Sequence, residues 1–438
     1  MNKSKLLLLS TPLALAISGI LNPAQAAVNI QCPGDKDALN TPSSIDATPT
    51  LGNPGYDPKV KCKHLAAGDG FITMADSTVT TPNEMYILGF SDLTGVPQNK
   101  AANHGLLAAT STAPTIELNE GDKFYLSLTN VGMLKRPDLF DPHSVHFHGF
   151  PNAASIFDGE PEASATIGMG STFTYFYDIK EPGTYMYHCH VEASEHMQMG
   201  MLGNLYVHPA QDGSSYDDDT DVEVKDYTKF AYNDVDGSTG YDVEYPIQIG
   251  SFDSVFHAEH IAVQPLPFAD MKDDYAVLNG RGYPDTANDT TPPAVPSEVA
   301  ALHNTNVDTT DDIATTQPLS SKITATVGQR VLLRISNLNV TRNYTLAAMG
   351  LPMKVVGRDA RILRAMDVNN PLQSLTQTGT DLYYETNSVT LGSGETADVL
   401  IDTTDVAPGK YFIYTTNLNY LSNGAEDFGG MMTEFQVI

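Results

Sequence analysis

From about residue 84 the chain falls into short apolar segments that alternate with polar positions and end at Gly, Pro or Asn. Successive side chains of a strand point to opposite faces, so such segments each bury one face. The pattern predicts strands over 85–90, 114–122, 123–130, 145–150, 172–177, 183–189 and 203–208, with a turn at Gly121 and Asp122. A second series follows at 276–285, 323–337 and 394–402, with a short strand beginning near Ser388. Helical periodicity is scarce. The expected class is all-β, two antiparallel sandwiches. Residues 27–80, rich in Pro, Gly, Asp and Thr, are read as an irregular arm with at most one or two edge strands. The expected units are therefore 27–80 (arm), 81–210 (first sandwich), 211–241 (acidic linker) and 242–438 (second sandwich), with 286–316 an insertion loop. A length of 438 residues suits two domains of ordinary size.

Two stretches carry the chemistry. Six of the twelve histidines lie in 143–149 and 188–202, with Cys189. If both stretches begin as strands, His146 and His148 share one face and His143 takes the other. By the same alternation His188 and His190 share a face and Cys189 takes the other. Paired strands would then present four imidazoles on one side, and an imidazole with a thiolate on the opposite side. The loop after Cys189 offers His196 and Met201 to complete the second group. Two His, one Cys and a weak axial Met form the trigonal set of a blue-copper electron-transfer site. Met197, Met199 and Met201 are an alternative soft site for Cu(I).

His-x-x-His-x-His-Gly over 143–149, followed by His-Cys-His, His196 and Met201, resembles the paired copper motifs of the multicopper oxidase family. That family includes laccases, bilirubin-oxidase-like enzymes and, more distantly, copper nitrite reductases. The resemblance implies two cupredoxin-like Greek-key sandwich domains, the second without copper motifs; 276–285, 323–337 and 394–402 look like the middle domain of laccases. It implies that His143, Cys189, His196 and Met201 hold one type 1 copper. His146, His148, His188 and His190 would then face at least one further copper, with Cys189 and its neighbours His188 and His190 as the electron path. The catalytic set it implies is His146, His148, His188, His190 and Cys189.

Three departures are visible. The gap from Cys189 to His196 is two residues longer than is usual in laccases. The family's trinuclear centre uses twice the four histidines found here, and His64, His104, His208, His257, His260 and His303 form no further His-x-His pair. An acidic residue stands in place of His146 in nitrite reductases. A mono- or dinuclear second centre is the easier one to build. A larger one needs ligands from another subunit, and two-domain members of the family are often trimers. His257, His260 and His104 are read as ordinary core or loop histidines.

Residues 1–26 read as a secretory signal. Lys3 and Lys5 precede a mostly apolar run to Leu21, and Ala24-Gln25-Ala26 supplies a small-residue cleavage site. The expected location is periplasmic or secreted, with no membrane attachment after cleavage. In that compartment Cys32 and Cys62, left over once Cys189 is assigned, are expected to pair. A net charge of -29 argues against nucleic acid and anionic membranes as partners. The Asp run at 217–221 is read as solvated linker; with Asp234 and Asp236 it matches no calcium-loop spacing. Two functions fit. One is an exported copper-dependent oxidoreductase that takes electrons from a small-molecule or metal-ion reductant and delivers them to O2 or another small acceptor. The other is an exported blue-copper electron carrier or copper-binding protein without turnover.

Overall fold

The computed structural model describes residues 30–33, 57–74, 83–150, 153–214, 227–262, 265–304, 313–365, 379–424 and 426–438. The signal read at 1–26 and the aspartates 217, 219 and 221 lie outside them. The first sandwich contains β1 (Val60–Met74), β2 (Asn83–Asp92), β3 (Ile116–Asn119), β4 (Lys123–Gly132), β5 (His146–Phe147), β6 (Thr172–Asp178), β7 (Gly183–His188) and β8 (Leu202–His208). One sheet runs β2-β1-β4-β6 and the facing sheet β3-β8-β7-β5. Inward side chains of both sheets, among them Leu65, Leu88, Phe124, Leu126, Tyr175, Tyr185 and Leu205, form one apolar core.

The second sandwich is built from β9 (Lys229–Phe230), β10 (Gly240–Tyr241), β11 (Val243–Phe252), β12 (Tyr275–Leu278), β13 (Ile323–Ala325), β14 (Arg330–Asn337), β15 (Tyr344–Ala348), β16 (Met353–Arg358), β17 (Arg361–Ile362), β18 (Tyr384–Thr386), β19 (Ser388–Leu391), β20 (Glu395–Asp402), β21 (Gly409–Thr415) and β22 (Met432–Val437). Its larger sheet runs β12-β11-β14-β20-β16-β17, with β18 on β16; its smaller sheet runs β13-β22-β21-β15-β19. Among the described residues four short α-helices interrupt the strands: α1 (Ala101–Gly105), α2 (Ala193–Gln198), α3 (Ser254–Ala262) and α4 (Ser297–His303). Among the described residues no helix is long and apolar enough to cross a membrane.

The domains are in close contact. Thr184 of β7 donates to the Asp398 carboxylate at 2.5 Å, and Thr396 donates to the Thr184 carbonyl at 3.0 Å. Ser336 donates to Asn204 at 2.7 Å. Phe256, Leu266, Val299 and Ala360 of the second half lie in the same apolar cluster as Cys189.

Three expectations change. Part of the stretch read as an arm is a fifteen-residue strand, β1, central in its sheet with β4 parallel on one side and β2 antiparallel on the other. Gly70 lies within this strand, and a Cβ on it would stand 3.0 Å from the Ala109 side chain and carbonyl, so close approach explains the glycine. The later half of the stretch read as linker pairs as β9 and β10, and its Tyr232 and Tyr241 pack against Leu332, Val356 and Leu400 of the second sandwich. There the Asp234 carboxylate accepts from Thr239 and Gln211, so the chain itself occupies it. The insertion at 286–316 contributes α4, with Val299 in the core. Cys32 and Cys62 form the expected disulfide.

Candidate metal centre

The two histidine stretches meet as neighbouring strands, though shorter than expected. β5 is two residues long and pairs antiparallel with β7, His146 opposite His188 and Phe147 opposite Tyr187. The pairing continues as the His148 N–H donates to the Met186 carbonyl at 3.0 Å. His143 stands in a separate bridge with Ile167. Alternation nevertheless places His143 on the side of Cys189 and His146, His148, His188 and His190 on the other, and His196 joins the first group from α2.

The first group is sulfur-bearing and closed. Cys189 Sγ lies 3.2 Å from His196 Nδ1 and 3.8 Å from His143 Nδ1, and the Ser144 N–H points at it from 3.5 Å. All three side chains are buried. The loop returns on itself. Cys189 N–H donates to the Met201 carbonyl at 3.2 Å, and Met201 N–H to the His196 carbonyl at 2.9 Å. Met201 and Met199 are buried in the same apolar cluster as Cys189, whereas Met197 packs beside Met186, Leu202 and Leu338. The three methionines are thus divided between two clusters, which does not suit the alternative Cu(I) site. Burial pushes the Cys189 thiol up to about 12 and holds His143 down to about 4; it also holds His196 well below the usual imidazole value, with His143 adding. Desolvation, which disfavours charge, produces all three. Without a cation the group is a protonated thiol beside two neutral imidazoles. A soft metal cation that displaces the thiol proton fits this donor set.

The second group is the four imidazoles. His148 Nε2 and His188 Nε2 are 2.9 Å apart. His146 approaches the rings of His148, His188 and His190 at centroid distances of 5.5, 5.5 and 4.9 Å. Three rings are fixed from behind by carbonyl oxygens. His146 Nδ1 is 2.8 Å from the Asp158 carbonyl, His148 Nδ1 3.2 Å from Gly394, and His188 Nδ1 2.8 Å from Cys189. A carbonyl only accepts, so each Nδ1 carries the hydrogen; burial keeps His148 and His188 neutral, so their Nε2 atoms present lone pairs. The Nε2 atoms of His148 and His188 therefore face each other as two acceptors. Burial, joined by the neighbouring imidazoles, holds His188 down to about 3, which disfavours relief by a proton. A metal cation between these lone pairs removes the repulsion, and Nδ1–H to carbonyl contacts are what ligating imidazoles ordinarily make.

The second domain closes this group from one side. Gly394, at φ +84, approaches so closely that an added Cβ would lie 2.8 Å from the His148 ring. A cavity of about 250 Å³ is lined by His146, His148, Thr184, Asp359, Gly394 and Thr396. Sequence reading missed Gly394 and Asp359, because nothing local marks a residue whose role is to meet another domain, and it missed Asp158, whose backbone carbonyl meets His146 from a loop of the same sandwich. It also missed an acidic group beside His196. Asp141, Glu192 and His196 each bring a donor atom within 4.8 Å of the others. Burial, then Glu195, raise the Asp141 carboxyl above the usual range; burial, Asp141 and Glu195 do the same to Glu192. His196 Nε2 is buried and, among the described residues, has no hydrogen-bond partner.

The remaining histidines stand apart from both groups. His64 pairs with Thr129 at 2.7 Å, His208 with Asp212 at 3.8 Å, and His303 with the Leu106 carbonyl at 2.7 Å. His257 and His260 are buried core residues, as expected.

Family models described as multicopper oxidase match residues 96–212 and 262–435, well over half of the chain between them. The chain belongs to the multicopper oxidase family. Among curated proteins, a multicopper oxidase of Mycobacterium tuberculosis is 40% identical over 82 residues, 19% of this chain and 15% of that protein. An L-ascorbate oxidase of Cucumis sativus is 31% identical over 119 residues, 26% of this chain and 19% of that protein. The chain thus spans less than a fifth of the length of these two relatives. In fold it is similar to a blue copper oxidase from Nitrosomonas europaea, with a TM-score of 0.56 and 19% identity over 86% of both chains. It is also similar to a copper nitrite reductase from the same organism, with a TM-score of 0.52 and 15% identity over 86% of this chain and 94% of that one. Both groups sit in the segment 96–212, and copper, the metal of this family, suits the thiolate–imidazole and imidazole donor sets described above.

Proposed function

We propose that this protein is an exported copper-dependent oxidoreductase. In this reading Cys189, His143, His196 and Met201 hold a type 1 copper, and His146, His148, His188 and His190 hold a second copper centre. Bound there, copper supplies one-electron chemistry, drawing electrons from a reductant at the sulfur-bearing site and delivering them to dioxygen or another small acceptor at the imidazole site. The observation that carries the proposal is the linkage of the two groups. Cys189 belongs to one, while His188 and His190, its chain neighbours, belong to the other. The 250 Å³ cavity at His146 and His148 leaves space for a small acceptor, with Asp359 at its wall.

Four imidazoles per chain suit a mono- or dinuclear centre. A larger cluster, and the homo-oligomer that goes with it, would draw ligands from a second copy. The reductant we favour is a metal ion or other cation. Asp141 and Glu192 gather carboxylates at His196, where a cation relieves their mutual repulsion, and the net charge of -29 steers cations toward the protein. The export reading rests on the signal-like segment 1–26.

Copper analysis with optical and spin-resonance spectra of the copper-loaded chain tests the reading. We expect more than one copper per chain, a blue thiolate-to-copper band and oxygen uptake with a ferrous or cuprous reductant. Asp141→Asn with Glu192→Gln should raise KM for that reductant and leave oxidation of a neutral organic donor nearly unchanged. One copper, blue colour and no turnover with any donor would select the electron-carrier alternative.

A further inference from the structure

The loop from Cys189 to Met201 is longer than its counterpart in laccases, and a helix of the other domain grips it on both sides of His196. That helix, α3 (Ser254–Ala262), falls in the stretch between the two family-model matches, touching the second only at its last residue. Its N-terminus is capped by Asp253, whose carboxylate accepts from the N–H groups of Val255 and Phe256 at 2.9 and 3.0 Å. Its inward face carries Phe256, His257 and His260, all buried. Phe256 enters the apolar cluster that holds Cys189, Met199 and Met201.

The two histidines take hold of the loop helix α2. His260 Nε2 lies 2.9 Å from the Glu195 carboxylate, one residue before His196. His257 Nε2 lies 2.9 Å from the Gln198 carbonyl, two residues after it, and its Nδ1 lies 2.5 Å from the Tyr86 carbonyl on β2. The ring, kept neutral by burial, has one N–H; it donates to one of these carbonyls and packs against the other, filling the space between the loop and the sheet behind it. Two further contacts steady the grip. Arg136 donates to the His260 carbonyl, and the Gln198 side chain donates to Asp273 at 3.4 Å. None of these groups reaches Cys189 or His143. Their effect is to fix the turn that aims His196 at the sulfur.

We propose that His257 and His260 of the second domain are positioning residues for the sulfur-bearing site, holding Glu195 and the Gln198 carbonyl and thereby setting the distance and angle of His196 to Cys189. The inference rests on the type 1 copper reading. His260 also hydrogen-bonds Glu195, the carboxylate next in sequence to His196. Loss of His260 removes the hydrogen-bond donor that partly screens this carboxylate, which favours the cupric state and lowers the potential; replacing the carboxylate by an amide raises it.

The test uses the full copper-loaded chain and reads the copper hyperfine splitting, the charge-transfer band and the reduction potential. His260→Leu and His257→Leu are expected to change the splitting and the band, and His260→Leu to lower the potential. The spectrum of the imidazole-bound copper should stay as in the parent. His260→Gln, whose amide donates toward Glu195, is expected to restore the parent spectrum. Glu195→Gln, nearly isosteric, is expected to keep the splitting and raise the potential. Val255→Ala, on the exposed side of α3, controls for the helix itself. Parent splitting in both His260→Leu and His257→Leu, with a parent potential in His260→Leu, would overturn the proposal. Should the leucine variants fail to fold, an unraised potential in Glu195→Gln would overturn it instead. A parent protein without blue colour would remove the type 1 reading, a different failure.

Discussion

The sulfur-bearing group and the imidazole group differ in how they meet solvent and the second domain. Cys189, His143 and His196 are sealed, and the loop that carries His196 is folded back by backbone hydrogen bonds and pressed from outside by α3. His146 and His148 are partly exposed, border a cavity, and lean on Gly394 and Asp359 of the other sandwich. A sealed site limits rearrangement when a metal changes charge, which suits electron transfer. A site with an open side admits a reactant. The second domain supports both, one through a helix and the other through a glycine turn.

Removing the thiol separates the two groups most sharply. Cys189→Ser is expected to abolish the blue band and drop turnover to background, while copper remains on the imidazole group. Metal analysis with an optical spectrum checks it, and unchanged colour would remove Cys189 from the ligand set. His188→Ala is the converse. The blue band is expected to survive while turnover falls by at least the ~100-fold that loss of an outer-shell partner can bring. Oxygen uptake alongside the spectrum decides it.

A subtler contrast lies in pH. His143 and His188 titrate at about 4 and about 3 in the folded chain, below the ordinary 6.5, because burial opposes their charging. The unfolded chain therefore binds protons first as pH falls below 6.5, and folding stability falls with it until the folded values are reached. Metal-free protein should lose melting temperature steadily from pH 7 to pH 4. His143→Phe, which removes one such group, should flatten part of that slope. The smallest effect is expected at Met201→Leu, which should keep a coloured site and raise its potential, since the axial ligand tunes it. An unshifted potential in a redox titration would take Met201 out of the ligand set.

The strand alternation at 143–148 and 188–190 was legible because the period of two is local. It told which residues share a side without any knowledge of what lies opposite. The length of those strands was not legible, since β5 is cut to two residues by pairing with β7 rather than by its own composition. β1 was hidden by the Pro, Gly, Asp and Thr content of 27–80; two of its glycines, Gly68 and Gly70, answer to close contacts with Val131 and Ala109 far along the chain.

Residue identity and spacing by themselves determined the all-β class, the two groups of donors and the pairing of Cys32 with Cys62, because strand geometry and donor chemistry act over a few residues. Which surface each group faces was decided only when the sandwiches packed together. Gly394 meets His148 across 246 residues and His260 meets Glu195 across 65. Contacts at such separations depend on how two sheets dock, and short-range periodicity carries no record of that.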